Sequence, residues 1–426
     1  MNLSGVIVEQ VVAQNKGWSN FKVKLALFLA VMGPGIITAS VDNDANGIAT
    51  YSVAGAHYGY GLLWLLPVIA ICLYMVQEMC ARMGMVTGKG LASLIRGAYG
   101  FRITFFAMIV LIIANLANTV GDFAGVAASL EIFGISRYIS VPLAGFFAWY
   151  LILKGTYKTV EKIFLFGCFL YITYVISGFM SKPAWGIALQ NIAIPHLQLK
   201  KDYIILAIAV IGTTIAPWMQ FYQQAAVVDK KLKIKDYFYE KVDIIFGTTV
   251  TNIVAFFIIV ACASTLFIHN IRVDSAADAA VALAPLAGKY ASIMFAIGLF
   301  NAGIFSVCII PLSTAYAVCE AFGWEQGVDR TYKQAPEFIN IYTGMIVIGG
   351  ALILWPKAPL VKIMVLSQAV NGFLLPVIMI FMMLLINNSR IMGKYVNSKL
   401  YNWIAWIITS LLVLLSVILV IVSFVP

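Results

Sequence analysis

The stretch GPGIITASVDNDANGIATYS, Gly33–Ser52, decides the fold of this chain. It lies within an apolar run thick enough for a membrane, yet it holds Gly33-Pro34-Gly35 and then Asp42, Asn43, Asp44 and Asn46. Unwound backbone in lipid is costly unless it lines a cavity. Carboxylates inside a membrane are costly as well and mark a pathway. A second irregular stretch, IGTTIAPWMQFYQQ, runs from Ile211 to Gln224 and carries Gly212, Thr213, Thr214 and Pro217. A pair of interrupted helices in corresponding places is the sequence pattern of a midplane site in a secondary transporter.

Working outward, the 426 residues are 62% hydrophobic and 11% charged, a balance that excludes a soluble domain. Apolar runs of spanning length recur throughout, and about eleven spans start near Leu25, Gly61, Ile103, Tyr138, Val160, Tyr203, Val242, Tyr290, Ile339, Val361 and Trp403. The N-terminal residues lack the pattern of a cleaved signal peptide, so the first span is expected to serve as the insertion signal. The net charge of +10 does not indicate nucleic acid, because Lys and Arg alternate from loop to loop. Lys16, Lys22 and Lys24, Arg82 to Arg102, Lys154 to Lys162, Lys230 to Lys241, Arg330 and Lys333, and Arg390 to Lys399 fall on one side. By the positive-inside rule that side is cytoplasmic, which predicts a multi-pass plasma-membrane protein with a cytoplasmic N-terminus and an external C-terminus. Six scattered cysteines, none in a CxxC pair, read as small buried hydrophobes.

The first break offers carboxylate oxygens from Asp42 and Asp44, an amide oxygen from Asn46 and backbone freed at Gly47. The second adds carbonyls around Thr213 and Thr214, since Pro217 removes the N–H that would bond the Thr213 carbonyl. Such a set of hard oxygen donors suits a hard cation. It would repel an amino-acid carboxylate, which disfavours an amino-acid carrier of similar build. The alternative is that one aspartate merely caps the second half-helix, a role Asp performs well.

These residues resemble the Nramp family of divalent-metal transporters, and within it the branch of Nramp-related magnesium transporters. The segments that carry the resemblance are GPG…D in span one, AGAHYGYGLLW at 54–64, ARMGMVTGKGLA at 81–92 and VLSQAVNGFLLP at 365–376. The resemblance implies an all-α integral membrane protein with a LeuT-like fold. Two inverted five-helix repeats, about 25–181 and 203–387, would each begin with a broken helix, and an extra helix would follow at about 402–425, all within one domain, 1–426. The family's helix-one motif Asp-Pro-Gly-Asn aligns with Asp44-Ala45-Asn46-Gly47, so Asp44 takes the metal-binding aspartate's place and Gly47 the asparagine's, with Asn46 one residue early. The family's Met-Pro-His in helix six reads Ala216-Pro217-Trp218 here. Loss of the thioether removes a ligand that favours transition metals, and a roomier site suits Mg²⁺, which sheds water reluctantly. Gln368 matches a glutamine that approaches the metal.

The family's proton-coupling histidines read Trp218 and Gln223, its helix-three Asp reads Thr119, and its Glu reads Asp122. His57, His196 and His269 all fall in or near predicted external loops. Asp122, Glu78 in span two, and Gln220 on span six remain as coupling or pathway candidates. The resulting expectation is a monomeric carrier of partly hydrated Mg²⁺, accepting Mn²⁺, working by alternating access without proton coupling. A proton-coupled Mn²⁺/Fe²⁺ carrier, an Al³⁺ carrier and a cation channel remain the other readings. No resident cofactor is expected, since the metal is cargo. The chain presents no nucleophile–base pair and no HExxH, so it is not read as an enzyme; its partners are the ion and the bilayer.

Overall fold

The computed structural model describes residues 33–155, 157–198, 200–273, 288–355 and 360–424. The early lysines and the first part of span one, from Leu25, lie outside the described residues. Among those described, the chain is helical and without strands. Seven of the described helices are long and apolar enough to cross a membrane unaided, and the pair 374–386 and 389–395, bent by 61°, makes one more. The other expected spans are helical where the sequence placed them. The first is split into two short halves, the fourth is the 18-residue helix Arg137–Lys154, and the last is Lys399–Phe424. Bulky apolar side chains point outward on several of these helices, with Phe106, Phe166 and Phe169 at least 66% exposed. An apolar exterior around a buried polar centre is the arrangement that lipid demands.

Helix α1 (Pro34–Val41) and α2 (Ala45–Tyr58) form the first span, and a turn at Asp42–Asp44 separates them. Helices α3 (Leu65–Thr87) and α4 (Leu91–Glu131) follow; Gly100, at φ 80°, kinks α4 near its start. Next come α5 (Arg137–Lys154), α6 (Tyr157–Leu170), α7 (Ile172–Met180) and a short α8 (Trp185–Ala193). The sixth span is also split, into α9 (Lys201–Thr214) and α10 (Pro217–Asp229), because Pro217 cannot donate to the preceding turn. Helices α11 (Tyr237–Cys262), α12 (Lys289–Phe322), α13 (Pro336–Leu354), α14 (Leu360–Ile386) and, past a short helical turn, α15 (Lys399–Phe424) complete the chain.

Close backbone approaches fix α1 and α2 against their neighbours. A Cβ at Gly35 would meet the Ile244 backbone nitrogen at 2.7 Å, and one at Gly247 would meet the Gly35 carbonyl at 2.8 Å. Helix α1 therefore lies directly on α11, and Thr251 adds a hydroxyl bond to the Ala39 carbonyl. On the other side, a Cβ at Gly121 would collide with the Asn46 amide and one at Gly125 with Ala45. This pair, four residues apart on α4, forms the kind of small-residue seam along which membrane helices approach closely.

A buried ion pair ties the last helix to the body. Glu78 and Arg82 lie 3.0 Å apart on α3, at side-chain exposures of 2% and 10%. Tyr401 of α15 donates to Glu78 at 2.7 Å, Tyr237 of α11 also donates to it, and Arg82 donates to the Tyr395 carbonyl at 3.0 Å and to Asn397. Removing one partner of a buried pair costs about 3–5 kcal/mol. Glu78→Ala should therefore lower the thermal unfolding midpoint sharply, while protein that remains folded keeps the parental KM for ion uptake. A changed KM at unaltered stability would show Glu78 to be on the ion's path.

Candidate metal-transport site

The two helix breaks meet. Tyr51 of α2 and Thr214 of α9 are hydrogen-bonded at 2.5 Å. A methyl group at Gly47 would meet the Asp42 carbonyl at 3.0 Å, Asp44 Oδ1 at 3.1 Å and Thr213 Oγ1 at 3.1 Å. Three oxygens from both broken spans thus surround one point, and only glycine leaves it clear. Helices α1 and α9 end here, so their carbonyl termini bring negative partial charge toward the same place.

The aspartates divide between two tasks. Asp44 is the N-cap of α2: its extended backbone precedes the helix, and Oδ1 accepts from Gly47 N at 2.5 Å. Asp122, from α4, accepts from Ala45 N at 3.2 Å and so holds another donor of the same helix start. Asp42 ends α1, is 1% exposed, and has no hydrogen-bond partner on either carboxylate oxygen among the described residues. Oδ2 of Asp122, Oδ1 of Asn43, Oδ1 of Asn46 and Oγ1 of Thr213 are likewise buried without a partner. An unpaired buried carboxylate is expensive, and a cation is what would compensate it. Asn46 turns its amide onto α4, donating weakly to the Asn118 carbonyl and to Asp44 at 3.4 Å each, with its oxygen beside Gly121. Asn43 donates to the Thr251 carbonyl at 3.1 Å and receives Tyr171 on its own carbonyl at 3.1 Å, which fixes the turn between the aspartates.

Helix α10 starts at Ala216, whose backbone is extended and whose side chain is 2% exposed; no side chain caps this helix start. Ala216 thus presents only a methyl group at the second break. Among the described residues, no three His, Cys, Asp or Glu side chains gather in a way that could hold a metal ion. Any ion seated here would complete its shell from amide, hydroxyl and carbonyl oxygens and from water.

The comparisons with known proteins point the same way. The model of the family described as natural resistance-associated macrophage protein-like matches residues 35–422. The chain belongs to the Nramp family. A divalent metal cation transporter, MntH, from Erwinia tasmaniensis is 28% identical over 393 residues, which cover 90% of this chain and 91% of the relative. The manganese transporter of Eremococcus coleocola, solved with an aromatic bis-isothiourea compound, superposes at a TM-score of 0.73 and 20% identity over 95% of this chain and 87% of that one. Mhp1, a nucleobase-cation-symport-1 transporter in a closed conformation, superposes at 0.58 and 14% identity over 91% and 90% of the two chains. The fold is therefore LeuT-like, and the Nramp chain is a multi-pass transporter, not an enzyme.

Other residues expected at the Nramp site are distributed unevenly. Trp218 is buried below the break, and its carbonyl accepts from Ser313 at 2.9 Å. Gln220 is buried with both amide atoms unpartnered among the described residues, whereas Gln223 donates to Glu240 at 2.9 Å and Gln224 to the Lys89 carbonyl at 2.7 Å. Thr119 is occupied with the Asn115 carbonyl at 2.8 Å, within its own helix. Glu78 belongs to the ion pair described above and not to the break. Gln368 lies in α14, and its side chain is outside the described residues. Sequence reasoning passed over Asp243, which accepts from Gly33 N at 3.1 Å and Gly35 N at 2.7 Å and so caps α1. It also passed over Glu240, one turn earlier on α11 and fully buried. An acid one residue inside the apolar run that starts at Val242 was the available signal.

Proposed function

We propose that this Nramp chain carries Mg²⁺, with Mn²⁺ also accepted, across the membrane as a partly hydrated ion, by alternating access and without proton coupling. The observation that carries this reading is the donor set at the break. Asp42, whose two carboxylate oxygens are buried and unpaired among the described residues, ends α1 at a junction supplied with hydroxyl, amide and carbonyl oxygens, and Ala216 brings no sulfur to it. Hard oxygen donors with room for water favour a small, strongly hydrated dication. Asp42, Asp44, Thr213 and the backbone at Gly47 are assigned to the ion; Asn46 is assigned to positioning α2, and Gln220 to a water of the hydrated ion. Trp218 and Gln223 stand where the family carries histidines, so the histidine route for protons is missing from this span. The reading also takes 25–181 and 203–387 as two inverted repeats, the lysine-rich loops as cytoplasmic, and the carrier as a monomer.

A proton-coupled Mn²⁺ carrier is the second reading, favoured by the names of the relatives and by the free oxygen of Asp122 close to the break. Proteoliposomes loaded with Mg²⁺- or Mn²⁺-sensitive dyes and a pH dye separate the two. Saturable Mg²⁺ entry without acidification is the expected outcome. Mn²⁺-only entry, or acidification in step with the metal, would replace the first reading with the second.

A further inference from the structure

A narrow crevice lies beside α1 and α10, near the lysine-rich run that begins at Lys230. It is lined by Ile37 of α1, Phe164 of α6, Tyr222 and Ala226 of α10, and Leu312 and Tyr316 of α12. Two neighbouring residues at the end of α10 bond to two residues of the crevice wall, Glu161 and Tyr316, on two different helices. Lys230 donates to Glu161 of α6 at 2.5 Å, with side-chain exposures of 11% and 16%. Asp229 accepts from the hydroxyl of Tyr316 on α12. Gly33, at φ 151°, meets the same point, since a Cβ there would collide with the Glu161 carboxylate and lie 3.2 Å from Lys230 Nζ. The start of α1, the end of α10, α6 and α12 thus converge on one closure.

We propose that Lys230–Glu161 and Asp229–Tyr316 form a double latch over the cytoplasmic exit of the ion, and that the crevice behind it is that exit. The proposal rests on the transport reading above, because an exit presupposes a cargo. Its physical basis is that both contacts are nearly dry when closed and become hydrated when open. A buried ion pair loses much of its attraction to desolvation, so exchange for water on opening is close to balanced. Such a contact resists little once α10 tilts, yet it excludes water while shut. When Lys230 leaves, Glu161 is uncovered in the wall of the crevice, in position to meet the departing dication.

The test reads the gate directly. Ala226→Cys places a thiol in the crevice, and modification of position 226 by a charged, membrane-impermeant thiol reagent is followed by peptide mass spectrometry on the full chain in nanodiscs. Adding Lys230→Gln, or Tyr316→Phe, should raise the labelling rate roughly tenfold, as befits loss of a hydrogen bond to a charged group; Lys230→Arg should restore the slow rate. Unchanged labelling with both Lys230→Gln and Tyr316→Phe overturns the latch. If Lys230→Gln does not fold, Tyr316→Phe, which removes a single oxygen, decides alone. Labelling is independent of cargo, so a failure of Mg²⁺ transport with responsive labelling removes the transport reading and keeps the gate.

Discussion

Asp42→Asn is expected to raise the KM for Mg²⁺ uptake by at least about 100-fold, since outer-sphere partners alone are worth about 10–100-fold and Asp42 is assigned a direct, charged role. The same substitution should leave the protein as stable as the parent, or more stable, in metal-free buffer. Both Asp42 oxygens are buried and unpaired, so neutralising them relieves a desolvation cost. Asp44 should behave differently. Asp44→Asn keeps an acceptor for Gly47 N and should lose uptake with little change in stability, whereas Asp44→Ala also loses the cap, at about 1 kcal/mol. Uptake kinetics and thermal unfolding on the three variants check the division. If Asp42→Asn transports normally and unfolds earlier, Asp42 is a structural residue and the site must be rebuilt around Asp44.

The breaks could be read from sequence because their causes are local. Gly33-Pro34-Gly35 opens α1, and the polar run at 42–46 and Pro217 each disturb a helix within a few residues of themselves. The cap formed by Asp44 was legible for the same reason, as an acid just before a helical segment. What each acid does beyond its own turn was not legible. Asp122 bonds a backbone N–H 77 positions away in the chain, and Asp243 bonds two that lie 210 and 208 positions away. Asp122 read as a coupling candidate, although one of its oxygens holds the start of α2. Asn46 read as a ligand; the glycine seam of α4 sets its amide nitrogen toward the Asn118 carbonyl and leaves its oxygen unpaired among the described residues. Glu78 looked like an intramembrane acid with a pathway role, yet Arg82 sits one turn away, and the two tyrosines that complete its shell come from α11 and α15. Periodicity and composition locate such groups in the membrane; only the packing of distant helices says whether an acid is already occupied.

Ala216→Met should change what the site prefers. A thioether placed at the start of α10 adds a soft ligand beside the oxygen donors, which raises affinity for Mn²⁺ and more so for softer dications such as Cd²⁺, and displaces a water that Mg²⁺ would keep. The expected result is a fall of about tenfold or more in the ratio of Mg²⁺ to Mn²⁺ uptake efficiency, one ligand being worth at least as much as an outer-sphere partner. Volume alone could disturb the site, because Ala216 is buried and overpacking costs about 1–3 kcal/mol. Ala216→Leu separates the two causes: it adds a side chain of similar size without sulfur and should depress both ions alike. Competition of Mn²⁺ and Cd²⁺ against Mg²⁺ in the same proteoliposomes measures the shift. If Met and Leu give the same ratio as the parent, the residue at 216 does not face the ion, and the preference for hard cations must come from the carboxylates and the space around them.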